Sequence, residues 1–124
     1  MDLKQIAKET TKVLTSYLTY QALRTVLAQL TENNPPLAIW LNEFSASHSI
    51  QDGDAYLEAL LQTESETALR IMTVRQHLAE EIAEFLPEMV QMSIQSSNIA
   101  HRRQHLEKLS GLASPDLSSE TLAD

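Results

Sequence analysis

The residues able to do chemistry are few and fall into four groups. His101 and His105 stand four apart in HRRQH, a spacing that puts two imidazoles on one face of a helix and can chelate a metal. Two arginines lie between them, however, and no carboxylate stands as it does in HExxH. The pair reads as a solvated basic patch near a helix C-terminus, where the macrodipole favours cations. Glu80, Glu81 and Glu84 supply carboxylates. Adjacent helix residues point about 100° apart, so Glu80 and Glu81 do not converge, and Glu80 with Glu84 makes an ordinary charged face. Arg102 and Arg103 form a short basic cluster in a chain with 17 acidic and 9 basic residues and a net charge of −8, an electrostatic balance that opposes broad phosphate binding. The fourth group is Tyr17 and Tyr20 in SYLTYQAL, two of only three tyrosines in the chain.

No GxSxG, P-loop or glycine fingerprint accompanies these groups. The expectation is therefore a protein that is not an enzyme, with no metal and no cofactor. The absence of cysteine excludes disulfides, thiolate metal sites and cysteine nucleophiles. No long apolar run is present, so no membrane partner is expected, and the opening MDLKQIAKETTK resembles neither a secretory signal nor a transit peptide.

Elements must hold the tyrosines in place, and the sequence points to helices for all of them. There are 2 glycines in 124 residues, so few positions can adopt positive φ and tight-turned sheets are disfavoured. The expected fold is all-α: a helical bundle with a long kinked C-terminal helix, assembled as an antiparallel homodimer. Helices are expected over about 3–32, 35–45, 52–62 and 64–109, with 1–109 as one domain and 110–124 as a disordered acidic tail. Asp2 with Gln5, Asn34 with Pro35, Asp52, and Thr63 with Glu66 supply the starting signals.

Within the first helix, Leu3, Ile6, Ala7, Leu14, Tyr17 and Leu18 share one side, whereas Ala22, Leu23, Val26 and Leu30 lie roughly opposite. The apolar face thus switches near residue 20. Between the two faces runs a seam of Val13, Tyr17, Tyr20, Arg24, Leu27 and Thr31, spaced alternately four and three. On the seam the tyrosines can be core residues or an apolar wall with polar tips, and periodicity leaves both open. In the last helix Ile71, Leu78, Phe85, Met92, Ile99 and Leu106 recur every seven residues across Pro87, where a kink is expected. A helix of that length spans about 65 Å, more than a domain of this size can cover, and a second copy is the simplest cover. Intrahelical pairing is the plain reading of Arg75 with Glu80 and of Arg70 with Glu66, although Arg70 sits at the helix end that disfavours cations.

Two long blocks, YLTYQALRTVLAQLTENNPPLAIWL and ALRIMTVRQHLAEEIAEFLPEM, followed by RRQHLEKL, resemble the RbcX family of Rubisco assembly chaperones. The resemblance covers about residues 1–109. It implies a homodimer that works without ATP and holds the extended C-terminal peptide of the Rubisco large subunit in a central hydrophobic groove. The groove residues it implies are Tyr17 and Tyr20, and their seam neighbours Val13, Arg24 and Leu27 would complete it. It implies contacts to the body of the large subunit from Gln29, Glu32, Asn34, Arg70 and Arg102. It further implies stabilisation of large-subunit dimers, promotion of the octameric core and displacement by small subunits, in a cyanobacterial cytoplasm with possible carboxysome association. A helical adaptor for another peptide is the alternative. The segment 45–52 and the tail match no pattern that assigns them a role.

Overall fold

In a computed structural model, the structure describes residues 1–113. They form five helices: α1 Leu3–Asn33, α2 Pro35–Ser47, α3 Gly53–Thr63, α4 Ser65–Ile82 and α5 Leu86–Ala113. No strand occurs among the described residues, so the fold class is all-α. The chain divides into two compact units, Met1–Ile82 and Ala83–Asp124.

Local chemistry accounts for most helix ends in the first unit. The Asp2 carboxylate accepts from the N–H groups of Lys4 and Gln5 at 3.0 and 3.3 Å, which satisfies two donors that α1 itself cannot. The reciprocal half of that capping box does not form, because the Gln5 amide donates to Glu9 instead. Asn34 closes α1 and opens α2: its N–H donates to the Leu30 carbonyl and its side chain accepts from the Leu37 N–H. Pro35 occupies the first position of α2, where a missing N–H costs nothing. Helix α2 runs past its expected end at 45 to Ser47, with the Ser45 and Ser47 hydroxyls donating to carbonyls one turn back. Asp52 caps α3 by accepting from the Ala55 N–H at 3.1 Å.

The expected Thr63–Glu66 capping box is absent. The Thr63 hydroxyl turns back to the Ala59 and Leu60 carbonyls and belongs to α3. Glu64 makes the joint, donating its N–H to Leu60 and accepting from the Ala68 N–H.

The core of this unit is aliphatic apart from one phenol. Ala22, Leu23, Val26 and Leu30 of α1 meet Ala38 and Leu41 of α2, Tyr56, Leu57 and Leu60 of α3, and Ala68 and Ile71 of α4. Full burial of a side chain such as Leu60 contributes about 2 kcal/mol. Of the two apolar faces expected in α1 only the later one is buried: its buried residues begin at Thr19, while Leu3, Ile6 and Tyr17 of the earlier face are exposed.

One helix from 64 to 109 is not what forms. The helical ladder stops at Ile82 and resumes at Leu86, with turns at 83–85. Pro87 explains the position of the break. It has no N–H to offer the Ala83 carbonyl and its ring crowds that carbonyl, whereas early in a new helix neither defect matters. The first turn of α5 then closes normally, with the Met89 N–H donating to Phe85. At its far end α5 continues beyond the expected boundary of 109 to Ala113, so residues 110–113 are helical. The rest of the expected tail, 114–124, lies outside the described residues.

Candidate functional site

The seam on α1 emerges as a line of outward-facing groups. Val13, Tyr17, Tyr20, Arg24 and Thr31 are exposed and Leu27 is partly buried against the core. Tyr17 and Tyr20 keep 57% and 41% of their surface in contact with solvent, which rules out the core reading within a single chain. They stay outside because Ala22, Leu23 and Val26, the next turns of the same helix, already fill the space against α2, α3 and α4. The Arg24 guanidinium lies 5.9 Å from the centre of the Tyr20 ring, within cation–π range, and restricts that ring. The seam offers two aromatic faces, flanking aliphatics and one cation. That composition suits an extended segment with large apolar side chains.

Four of the five expected peripheral contacts lie in the first unit. Arg70 of α4 donates through Nη2 to the Gln29 side-chain carbonyl of α1, so the structure brings these two together on an exposed face. This is not the Arg70–Glu66 pair that sequence spacing offers. Glu32 is exposed near the end of α1, and Asn34 follows with its carbonyl oxygen committed to the α2 cap. Arg102 belongs to α5 in the second unit and is exposed there.

Arg75 departs from expectation. Instead of pairing with Glu80 it reaches the Thr19 hydroxyl at 3.0 Å and the Asp54 carboxylate at 2.9 Å, tying α4 to α1 and α3. Gln76 takes Glu80 in its place. Arg75 also lines a cleft of about 310 Å³ with Thr15, Leu18, Met72, Gln76 and Ala79. By helical phase Thr15 lies on the opposite side of α1 from the tyrosines, and none of the seam residues lines this cleft, so it is not the seam.

His101 and His105 are exposed on α5, and among the described residues no three His, Asp or Glu side chains gather as a metal would need. No helix among the described residues is long and apolar enough to cross a membrane. In α5, Phe85 at its threshold and then Met89, Val90, Met92, Ile94, Ile99, Leu106 and Leu109 are all exposed, and none of residues 83–111 is buried. The seven-residue series is thus split: Ile71 and Leu78 pack in or against the first unit's core, while Phe85, Met92, Ile99 and Leu106 remain uncovered.

A family model described as "RbcX protein" matches residues 1–111. The chain belongs to the RbcX family. Among curated relatives, the RuBisCO chaperone RbcX of a Nostoc species is 58% identical, the match covering 100% of this chain and 96% of the relative. A crystal structure of an RbcX in complex with substrate is similar at 55% identity with a TM-score of 0.82, covering 89% of this chain and 99% of that one. The structure of an RbcX point mutant with two tyrosines replaced, one by alanine and one by leucine, is similar at 54% identity with a TM-score of 0.80, covering 86% and 99%. RbcX architecture therefore survives the loss of two tyrosines in that relative.

Proposed function

We propose that this chain is an ATP-independent assembly chaperone for Rubisco, without catalytic activity. Its client segment is the extended C-terminal peptide of the large subunit. The observation that carries this reading is the exposure of Tyr17 and Tyr20 on a helix whose core side is already full. The relatives' description as RuBisCO chaperones and the substrate complex of one of them support it.

A helix surface is convex, and a groove needs a second wall. In this reading the wall is a second copy. Two protomers pair their C-terminal helices antiparallel, covering the apolar residues of α5 and bringing the two tyrosine seams to face each other. The peptide lies extended between them, with its large side chains against Tyr17, Tyr20, Val13, Leu27 and the Arg24 stem. Gln29, Glu32, Asn34, Arg70 and Arg102 touch the body of the large subunit from the periphery.

Such an interface holds large-subunit dimers through their extended C-terminal peptide, favours assembly of the octameric core, and remains weak enough for small subunits to displace it. A few aromatic anchors, each contributing about 2 kcal/mol, suit binding that must end. The compartment is a cyanobacterial cytoplasm, with carboxysome association.

The test is reconstitution. Large subunit refolded with this protein should appear as octameric core on native mass analysis, and the Tyr17→Ala/Tyr20→Ala variant should leave it unassembled. Equal yields from both proteins would remove the tyrosines from the mechanism.

A further inference from the structure

Gly53 opens α3 and is one of two glycines in the chain. Its backbone has no positive φ, so conformation does not demand glycine there. Space does. A Cβ added at Gly53 would stand 2.8 Å from Thr19 Oγ1, 3.0 Å from Thr19 Cβ and 3.2 Å from Ser16 Cα. The last of these is main chain and cannot swing aside, so the start of α3 rests directly on the backbone of α1.

Hydrogen bonds fix the same contact. The Gly53 N–H donates to Ser16 Oγ at 3.1 Å. Thr19, with none of its surface exposed, donates its hydroxyl to the Thr15 carbonyl at 2.7 Å and accepts from Arg75. Arg75 in turn holds Asp54, the neighbour of Gly53. Three helices therefore meet at one polar joint.

The place of the joint on α1 gives it a consequence. Thr19 is the first buried residue of α1, and everything N-terminal to it is exposed or only partly covered. Ser16 and Thr19 each precede one of the two tyrosines by a single residue, about 100° around the helix. Close packing of Ala22, Leu23, Val26 and Leu30 holds the C-terminal part of α1, whereas no residue before Thr19 is buried, which leaves the hydrogen bonds and backbone contact at the joint to hold the turn that carries the tyrosines. At a side-chain radius of about 5–6 Å, a rotation of about 20° moves a surface group by roughly 2 Å.

We propose that Gly53, Thr19 and Arg75 form a positioning set that fixes the rotation of α1 at Tyr17 and Tyr20 and so sets the geometry of the peptide-binding wall. The inference rests on the chaperone reading. These residues act through the tyrosines and need not touch the peptide.

The test compares three full-length proteins in binding a labelled peptide that carries the C-terminal residues of the Rubisco large subunit, with thermal midpoint and solution mass measured for each. Gly53→Ala adds one methyl at the joint; it also replaces glycine by the best helix former, so α3 itself is not weakened. Ile71→Val trims the buried core of α4 one turn before Arg75, alters none of the joint's hydrogen-bonding groups, and serves as the control for a general loss of stability.

Gly53→Ala should fold, keep the wild-type mass and bind at least about fivefold more weakly, chiefly through faster dissociation, while Ile71→Val binds as wild type. If Gly53→Ala does not fold, Arg75→Met carries the test, since it removes the bridge and keeps the aliphatic stem. Binding by the folded variant within about twofold of wild type, or an equal loss in Ile71→Val, overturns the inference and leaves the chaperone reading intact. Wild-type protein that does not bind the peptide overturns the reading itself.

Discussion

Tyr17, Tyr20 and Tyr56 show how one residue type takes opposite roles on neighbouring helices. Tyr56 is buried, and its hydroxyl lies 2.6 Å from Ser45 Oγ. Since the Ser45 proton goes to the Leu41 carbonyl, Tyr56 is the donor. Burial pushes its phenol pKa above the ordinary 10.0. The neutral form is therefore the one the fold prefers. The stability it contributes is complete below about pH 10 and is lost as pH rises from there through the folded value, because the unfolded chain releases that proton first. The urea midpoint of the wild type should fall over that alkaline range, and Tyr56→Phe should flatten the fall while costing about 1 kcal/mol at neutral pH. An unchanged alkaline slope in Tyr56→Phe would assign the fall to other groups. Tyr17 and Tyr20 behave otherwise: with much of each ring in solvent, Tyr17→Ala and Tyr20→Ala should move stability by no more than about 0.5 kcal/mol, read by urea denaturation. Each should weaken peptide binding by roughly 2 kcal/mol. A large stability loss in either variant would point to a structural role instead.

At the level of helices, much could be read from the chain beforehand, and the misses share a cause. Asp2, Asn34 and Asp52 cap where their positions before apolar runs indicate, because capping is local. The switch of apolar face in α1 was also readable, since a helix wheel needs only sequence. Thr63 misled because its hydroxyl had an equally good local partner in the preceding helix. Arg75 misled because its partners are Thr19 and Asp54, far away in sequence, and no spacing rule reaches them. Gly53 carried a signal, a glycine at the start of a helix in a chain nearly without glycine, but the close approach that explains it exists only after folding. The exposure of the tyrosines belongs to the same class: periodicity left core and surface equally open, and the packing of Ala22, Leu23 and Val26 decided it.

Asn34 can be tested as a cap. Asn34→Ala should cost about 1 kcal/mol by urea denaturation and Asn34→Ser should restore most of it, while equal losses in both would assign the effect to something other than the cap. Pro87 can be tested as the cause of the break between α4 and α5. Pro87→Ala supplies the missing N–H, and amide exchange around 83–90 should slow by about tenfold or more. Unchanged exchange would mean that the break has another origin.

The whole molecule is defined as much by what it leaves uncovered as by its core. The first unit completes a core among four helices, whereas α5 and its threshold expose a line of Phe, Met, Ile and Leu. In the proposed dimer these residues form the interface, and the tyrosine seams gain their second wall only when it forms. Ile99→Lys should therefore lower the mass in solution to that of a monomer and abolish peptide binding together, since a buried unpaired charge is not tolerated in an apolar interface. A dimer that persists in Ile99→Lys would place the interface elsewhere. In the proposed reading Gln29, Glu32, Asn34, Arg70 and Arg102 act at the periphery, and their loss should impair core assembly more than binding of the isolated peptide.

The central claim is that a dimer of this chain offers one groove, walled by tyrosines, to the C-terminal peptide of the Rubisco large subunit. The most direct measurement is a titration of that labelled peptide into the protein, with mass in solution taken on the same samples. The account predicts one saturable site per dimer, absent from a Tyr17→Ala/Tyr20→Ala protein of unchanged mass. A well-folded dimer that ignores the peptide, or binds it equally well without the tyrosines, would contradict it.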